Sequence, residues 1–219
     1  MSNPDSFIDE VNEELKRDRL FGFMRKWAWL AVLAVLVLVG GAAWNEWRKA
    51  QAESQAQAFG DAVIAALAPE DLSARREALA IIDATGERAG ILNLLLAATE
   101  IEAENRPAAL ALLASVASDT SLPSSYRQIA ALKRVILGGA DLPMDDRSAA
   151  LQGLAAPGQP FRALALEQLA LLALESGDGA AALAQAQALL QEPALTETLR
   201  RRVLQLIVVL GGEPPSDNG

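Results

Sequence analysis

The sequence predicts an all-α fold: one N-terminal transmembrane helix continuing into an α-solenoid of about four helix pairs. Three observations predict it. Residues 27–44, WAWLAVLAVLVLVGGAAW, carry no charged side chain. The chain is 52% apolar but only 5% aromatic, so Ala and Leu carry the burial. That composition favours closely approaching helices over a sheet, which draws on β-branched and aromatic residues. Third, an Ala-Leu pair recurs just after a turn, at Ala78-Leu79, Ala109-Leu110, Ala150-Leu151 and Ala182-Leu183, with spacings of 31, 41 and 32 residues.

The chain opens with a charged segment, residues 1–26, expected in the cytoplasm. Within it DSFIDEVNEELKRDRL (residues 5–20) reads as a short amphipathic helix capped by Ser6, with Phe7, Val11 and Leu15 on one side. Such a helix either carries a docking or degradation signal or only steadies an anchor at the interface.

The anchor is residues 27–47. Eighteen helical residues rise roughly 27 Å, close to the hydrocarbon thickness of a bilayer. All four tryptophans flank the run, Trp27 and Trp29 at one end and Trp44 and Trp47 at the other. Indole favours the headgroup boundary, where the ring is apolar and its N–H stays wet. A buried core helix would need a core around it, and the preceding segment is mostly charged. A cleaved signal peptide has a short basic leader, whereas Asp5, Asp9, Glu10, Glu13, Glu14 and Asp18 precede this run. Lys16, Arg17, Arg19, Arg25 and Lys26 stand before the span and only Arg48 and Lys49 follow it closely. That bias predicts an N-in, C-out orientation, with the rest of the chain in a bacterial periplasm.

Residues 48–211 are expected to form one periplasmic domain. Residues 45–67 hold no proline and one glycine, so the membrane helix should run on and become the first helix of that domain, ending before Pro69-Glu70-Asp71. Paired helices then follow with a period in the low thirties, the signature of tetratricopeptide-type repeats. The fullest unit is residues 163–193, with Leu166, Leu169-Ala170 and Ala173 on the first helix, a Gly177-Asp178 turn, Ala182-Leu183 on the second helix and Pro193 after it. Small residues at Ala78, Ala97, Ala109, Ala150, Ala170 and Ala182 let paired helices approach closely. A second unit spans residues 90–117, with its turn at Glu104 to Pro107. A third begins near Pro123 and its first helix ends at Gly138-Gly139. The loop GADLPMDD accounts for the longer spacing, with Asp145 and Asp146 as cap and first turn of the next helix. Residues 195–210 form a closing helix, and 212–219 a disordered tail.

Composition narrows the chemistry. The formal net charge is −9, and from Asn45 on 14 Lys and Arg face 22 Asp and Glu. A domain this acidic is a poor partner for nucleic acid. With no Cys and no His, disulfides, thiolate chemistry, zinc sites and the usual proton shuttle are missing. GxSxG, SxxK and GxxxxGK[ST] do not occur. Glu100, Glu102 and Glu104 read as the solvated side of a helix and turn. Arg200, Arg201 and Arg202 read as a solvated helix surface, since three consecutive helical residues cannot share a face. The expectation is a protein that is not an enzyme and has no catalytic residue, cofactor or metal.

With its charged leader, Trp-bounded span, WNEWRKAQ exit and GDGAAAL-type repeats, the layout resembles the ancillary subunits of the SecYEG translocon. These are single-span bacterial inner-membrane proteins with a periplasmic tetratricopeptide-like domain. The resemblance covers about residues 7–210. It implies association with the Sec translocon and with a membrane-anchored periplasmic chaperone of the peptidyl-prolyl isomerase class, in the service of secreted client proteins. The same architecture also fits a structural scaffold in an inner-membrane or cell-envelope assembly complex.

Overall fold

The computed structural model describes residues 4–193 and 195–213, with side chains described at Trp27, Trp29, Leu30 and from Val32 on. Two compact units divide the chain, Met1–Asp61 and Ala62–Gly219.

The first unit consists of helix α1, which runs from Pro4 to Leu67 and so carries its last residues into the second unit. Proline suits a first helical position, because its missing N–H has no partner there anyway. The expected short helix over 5–20 is therefore part of one continuous helix, and Ser6 lies within its first turn instead of capping it. The side chains of Phe7, Val11, Leu15, Lys16, Arg17, Arg19, Arg25 and Lys26 lie outside the described residues. Every side chain from Val32 to Ala58 is exposed, the apolar ones included. Among the described residues no helix is long and apolar enough to cross a membrane, the side chains of the run being described only at 27, 29, 30 and from 32 on. Trp27, Trp29, Trp44 and Trp47 are all exposed, and the Trp44 and Trp47 rings lie 5.2 Å apart.

After α1 ends ahead of Pro69, eight helices follow among the described residues: α2 (Leu72–Ala80), α3 (Glu87–Glu102), α4 (Arg106–Ser118), α5 (Ser124–Gly138), α6 (Met144–Leu154), α7 (Arg162–Glu175), α8 (Gly179–Leu189) and α9 (Glu197–Val209). A single 3-10 turn, Gly139–Asp141, separates α5 from α6. No strand occurs among the described residues. Helices pack chiefly on their neighbours in the chain, the pattern of a solenoid. Three antiparallel pairs, α3/α4, α5/α6 and α7/α8, stand between α2 and α9.

Small residues set the helix spacing. On the first helices of successive pairs Ala97, Ala130 and Ala170 are buried to within 1% of completely, and Val203 of α9 continues the series at 0% exposure. On the second helices Ala109 and Ala182 are fully buried, whereas Ala78 and Ala150 are half-buried. Around them three clusters follow one another along the chain. One joins Ala97, Leu113, Val116, Leu122 and Ala130; the next joins Leu132, Val135, Leu151, Leu154 and Leu172; the last joins Ala186, Leu189, Leu199, Val203 and Ile207. Each fully buried leucine contributes about 1.5–3 kcal/mol relative to leaving it in water.

The turns follow from local chemistry. α3, α7 and α9 each end on a residue of positive φ: Glu104, Gly177 and Gly211. In each case the next amide donates back to the final turn, Asn105 to the Glu100 carbonyl, Asp178 to Ala173 and Gly212 to Ile207. Glycine adopts this conformation freely; glutamate does not. Three boundary expectations change. Pro107 sits in the first turn of α4, not in the connection. Pro143 precedes α6, so Asp145 and Asp146 both lie inside its first turn and neither caps it. Gly212 closes α9 instead of opening a tail, and residues 214–219 lie outside the described residues.

Candidate functional site

The face available for function is set by how consecutive pairs are tied together. Arg75, Arg106 and Arg147 each stand three residues before the alanine of an Ala-Leu pair, at the start of α2, α4 and α6. Each reaches the end of the following helix. Arg75 Nη1 lies 2.6 Å from Glu102. Arg106 Nη2 donates to the Gly138 carbonyl at 2.7 Å and pairs with Asp141 at 3.1 Å. Arg147 grips Glu175 with both terminal nitrogens, at 2.6 and 2.7 Å. One arginine register thus ties each second helix to the first helix of the next pair. The planar guanidinium fork suits this bidentate task better than a lysine would. The corresponding position in α8 is Gly179.

Other ion pairs brace the end of the array. Arg162 donates to Glu192 at 3.1 and 2.8 Å and to the Ala155 carbonyl. Arg202 holds the buried Glu167 at 2.8 and 2.5 Å, linking α9 to α7. Glu100 is buried too, 2.6 Å from Arg76 Nε and accepting from Asn105 at 2.6 Å. The expectation that Glu100, Glu102 and Glu104 form a solvated side is corrected at Glu100, which is buried against Arg76 of α2; Glu102 pairs with Arg75 but stays exposed, as does Glu104. Arg201 and Arg202 are exposed, as a solvated helix surface requires, and Arg202 in addition reaches the buried Glu167. Hydrogen bonds from Arg147 and Arg162 hold the carboxyls of Glu175 and Glu192 below the usual carboxylate range, against the opposing effect of burial. The same bonds raise the pKa of both arginines.

Above this framework the pairs leave a notch. Val135 and Ile136 of α5, Leu151 of α6, and Gln168, Leu171 and Leu172 of α7 line it, together with the Arg147–Glu175 pair. Its cavity is about 60 Å³, room for one side chain and not for a substrate. Ile136 is 54% exposed and Leu171 39% exposed. Arg147 is buried, and its Nε has no hydrogen-bond partner. Exposed apolar side chains recur on the other first helices, with Ile101 on α3, Leu174 on α7 and Val208 and Val209 on α9. Among the described residues no cluster of acidic groups could hold a metal ion. What the arrangement offers is exposed apolar side chains on successive first helices, of the kind another chain can cover.

Of the six alanines singled out in the sequence, Ala97, Ala109, Ala170 and Ala182 are buried and Ala78 and Ala150 only half-buried, and two features were missed. Ala130 belongs to the register Ala97, Ala130, Ala170, Val203, whose spacings of 33, 40 and 33 residues run parallel to those of the Ala-Leu pairs. The arginine register was equally readable in the sequence. Its acceptors were not, because they lie on a different helix.

No curated protein and no solved structure matches the chain significantly. A family of tetratricopeptide repeat-like domains matches residues 23–206, taking in the end of the charged leader, the Trp-bounded run and the helix array through most of α9. Small residues at a fixed place in each helix pair, arginine ties from pair to pair and that match agree: the chain belongs to the tetratricopeptide repeat-like domain family.

Proposed function

We propose that the protein is a non-catalytic, membrane-anchored interaction module working on the periplasmic side of a bacterial inner membrane. The observation that carries the reading is the set of exposed apolar side chains on consecutive first helices, Ile101, Ile136, Leu171 and Leu174. They cost solvation in the free protein and gain it back when another chain covers them. A tetratricopeptide-like domain is in general a protein-interaction domain, which fits this use. The anchor is supported by the uncharged run 27–45, the tryptophans at its ends and the exposure of Val32–Val39 on all sides of the helix. A helix apolar all round and left uncovered by protein suits lipid as its solvent.

The partners proposed are the Sec translocon, a periplasmic chaperone of the peptidyl-prolyl isomerase class and secreted clients as they emerge. This finer reading rests on the resemblance of the layout. Anchoring would keep the array at high local concentration beside the exit. Photocrosslinkers placed at Ile136 and Leu171 in intact membranes test it. The expected products are translocon, chaperone and client adducts that rise when secretion is active. Adducts with one envelope complex only, indifferent to secretion, would favour the fixed scaffold. Release of the full chain by carbonate washing would remove the anchor from the proposal.

A further inference from the structure

Packing divides the helices of the second unit into two blocks. In the first, α3 and α5 both pack broadly on α4, and α2 joins at α3; in the second, α7 packs on α6 and broadly on α8. Of the successive helices from α2 to α9, α5 and α6 meet most lightly. α9 also packs lightly on α8, but Arg202 braces it to Glu167 of α7. The ion pairs respect the same division. Arg75, Arg76 and Arg106 find their partners no further on than Asp141, and Arg147, Arg162 and Arg202 find theirs within α6–α9.

The arginine register locates the break. Arg106 donates to the Gly138 carbonyl and pairs with Asp141, which fastens the end of α5 and the 3-10 turn to α4. Leu142 packs so closely over Gly138 that a Cβ there would not fit. Arg147 fastens α6 to α7. Between these fastenings the backbone is extended at Leu142 and Pro143, with ψ of 141° and 136°. An apolar cluster also spans the seam, Leu132 and Val135 with Leu151, Leu154 and Leu172, and Gln128 Nε2 donates to Gln159 at 2.6 Å. Apolar contact is non-directional and tolerates a small rotation. The glutamine tie is half-satisfied, because the buried Oε1 of Gln128 has no partner. Segments with few packing and directional contacts are where a fold opens most easily.

We propose that α2–α5 and α6–α9 are rigid blocks that pivot at Leu142-Pro143, and that the notch is the gap this pivot opens and closes. Val135 and Ile136 line the notch from the first block, and Leu151, Leu171 and Leu172 from the second. The use of the pivot rests on the interaction-module reading. A chain that covers both Ile136 and Leu171 touches both blocks, so its binding sets the angle between them.

The sequence has no cysteine, so introduced cysteines alone carry spin labels. The full-length chain is labelled at exposed positions in three versions. Ala74→Cys with Ser125→Cys lies within the first block, Ala149→Cys with Thr198→Cys within the second, and Ser125→Cys with Thr198→Cys across the seam. Pulsed dipolar spectroscopy should give the pair across the seam a distance distribution about twice as wide as either other pair. Gln128→Ala should widen it further and leave both pairs within blocks unchanged. Equal widths in all three unsubstituted pairs overturn the pivot. So does a Gln128→Ala variant that widens all three, since the softness would then be general. Either result leaves the interaction module standing, which crosslinking at Ile136 and Leu171 tests without reference to motion.

Discussion

The α7/α8 pair and the α5/α6 pair share one grammar and close differently. In α7/α8 the connection is three residues, Ser176, Gly177 and Asp178, and Asp178 also caps α8 by accepting from the Ala181 amide at 2.9 Å. Ala170 and Ala182 are then fully buried. In α5/α6 the 3-10 turn and Leu142-Pro143 lengthen the connection, no side chain caps α6, and α6 packs lightly on α5. Ala130 is still buried, against the α3/α4 side, but Ala150 of α6 is only half-buried. A few extra residues have loosened one pair without breaking the array, because Arg147 fastens α6 forward to α7. The loosened pair borders the notch. Rigidity and accessibility are thus divided between neighbouring repeats.

One substitution, made in both pairs, separates their packing. Ala182→Glu places a carboxylate where α7 and α8 touch and should cost about 3 kcal/mol or more. Ala150→Glu, at the equivalent place in α6, should cost about 1 kcal/mol or less, since the new side chain reaches water. Denaturant melts of both variants measure the difference. Equal losses would mean that the two pairs are packed alike and that the notch is not a product of loose closure.

The same contrast explains what the sequence disclosed. Helix pairing was legible because it repeats: Ala97 and Ala109, or Ala170 and Ala182, flank a turn at similar spacing each time. The 41-residue interval before Ala150 announced a longer loop, but not that Ile136 and Leu171 would be left as an exposed rim around a notch. That depends on how far α6 moves, which is a property of three helices at once. Ion pairs were the least legible. Arg147 and Glu175 lie 28 residues apart, and Glu100 looks like an ordinary surface glutamate until α2 brings Arg76 to it.

A smaller effect is expected in acid. Glu175 and Glu192 both titrate below their ordinary range in the folded protein. The folded state therefore binds fewer protons than the unfolded state, and both pairs stabilise the fold above about pH 4.3, the unfolded glutamate value. That contribution is lost as pH falls through the depressed folded values. Glu175→Gln and Glu192→Gln should each flatten the fall in melting temperature between neutral pH and pH ~3. At neutral pH the two should differ. Glu175→Gln deprives the buried Arg147 of its only anion, whereas Arg162 keeps the Ala155 carbonyl in Glu192→Gln. A larger loss from Glu192→Gln would reverse the order of the two clamps.

The smallest effect distinguishes the turns. Glu104 and Gly177 occupy the same place in their pairs, with φ of 57° and 86°, and the following amide makes the same backward bond in both. A side chain at positive φ brings its Cβ close to the carbonyl oxygen, a strain glycine lacks. Glu104→Gly should therefore stabilise by about 0.5–1 kcal/mol, and Gly177→Glu should destabilise by about as much. The reciprocity matters more than either value. Glycine in place of Glu104 relieves strain but also frees the unfolded chain, so a net gain requires the strain to exceed the added entropy. If Glu104→Gly proves neutral or harmful, the strain at Glu104 is no larger than the freedom glycine adds to the unfolded chain, and the two turns hold one backbone shape at similar net cost.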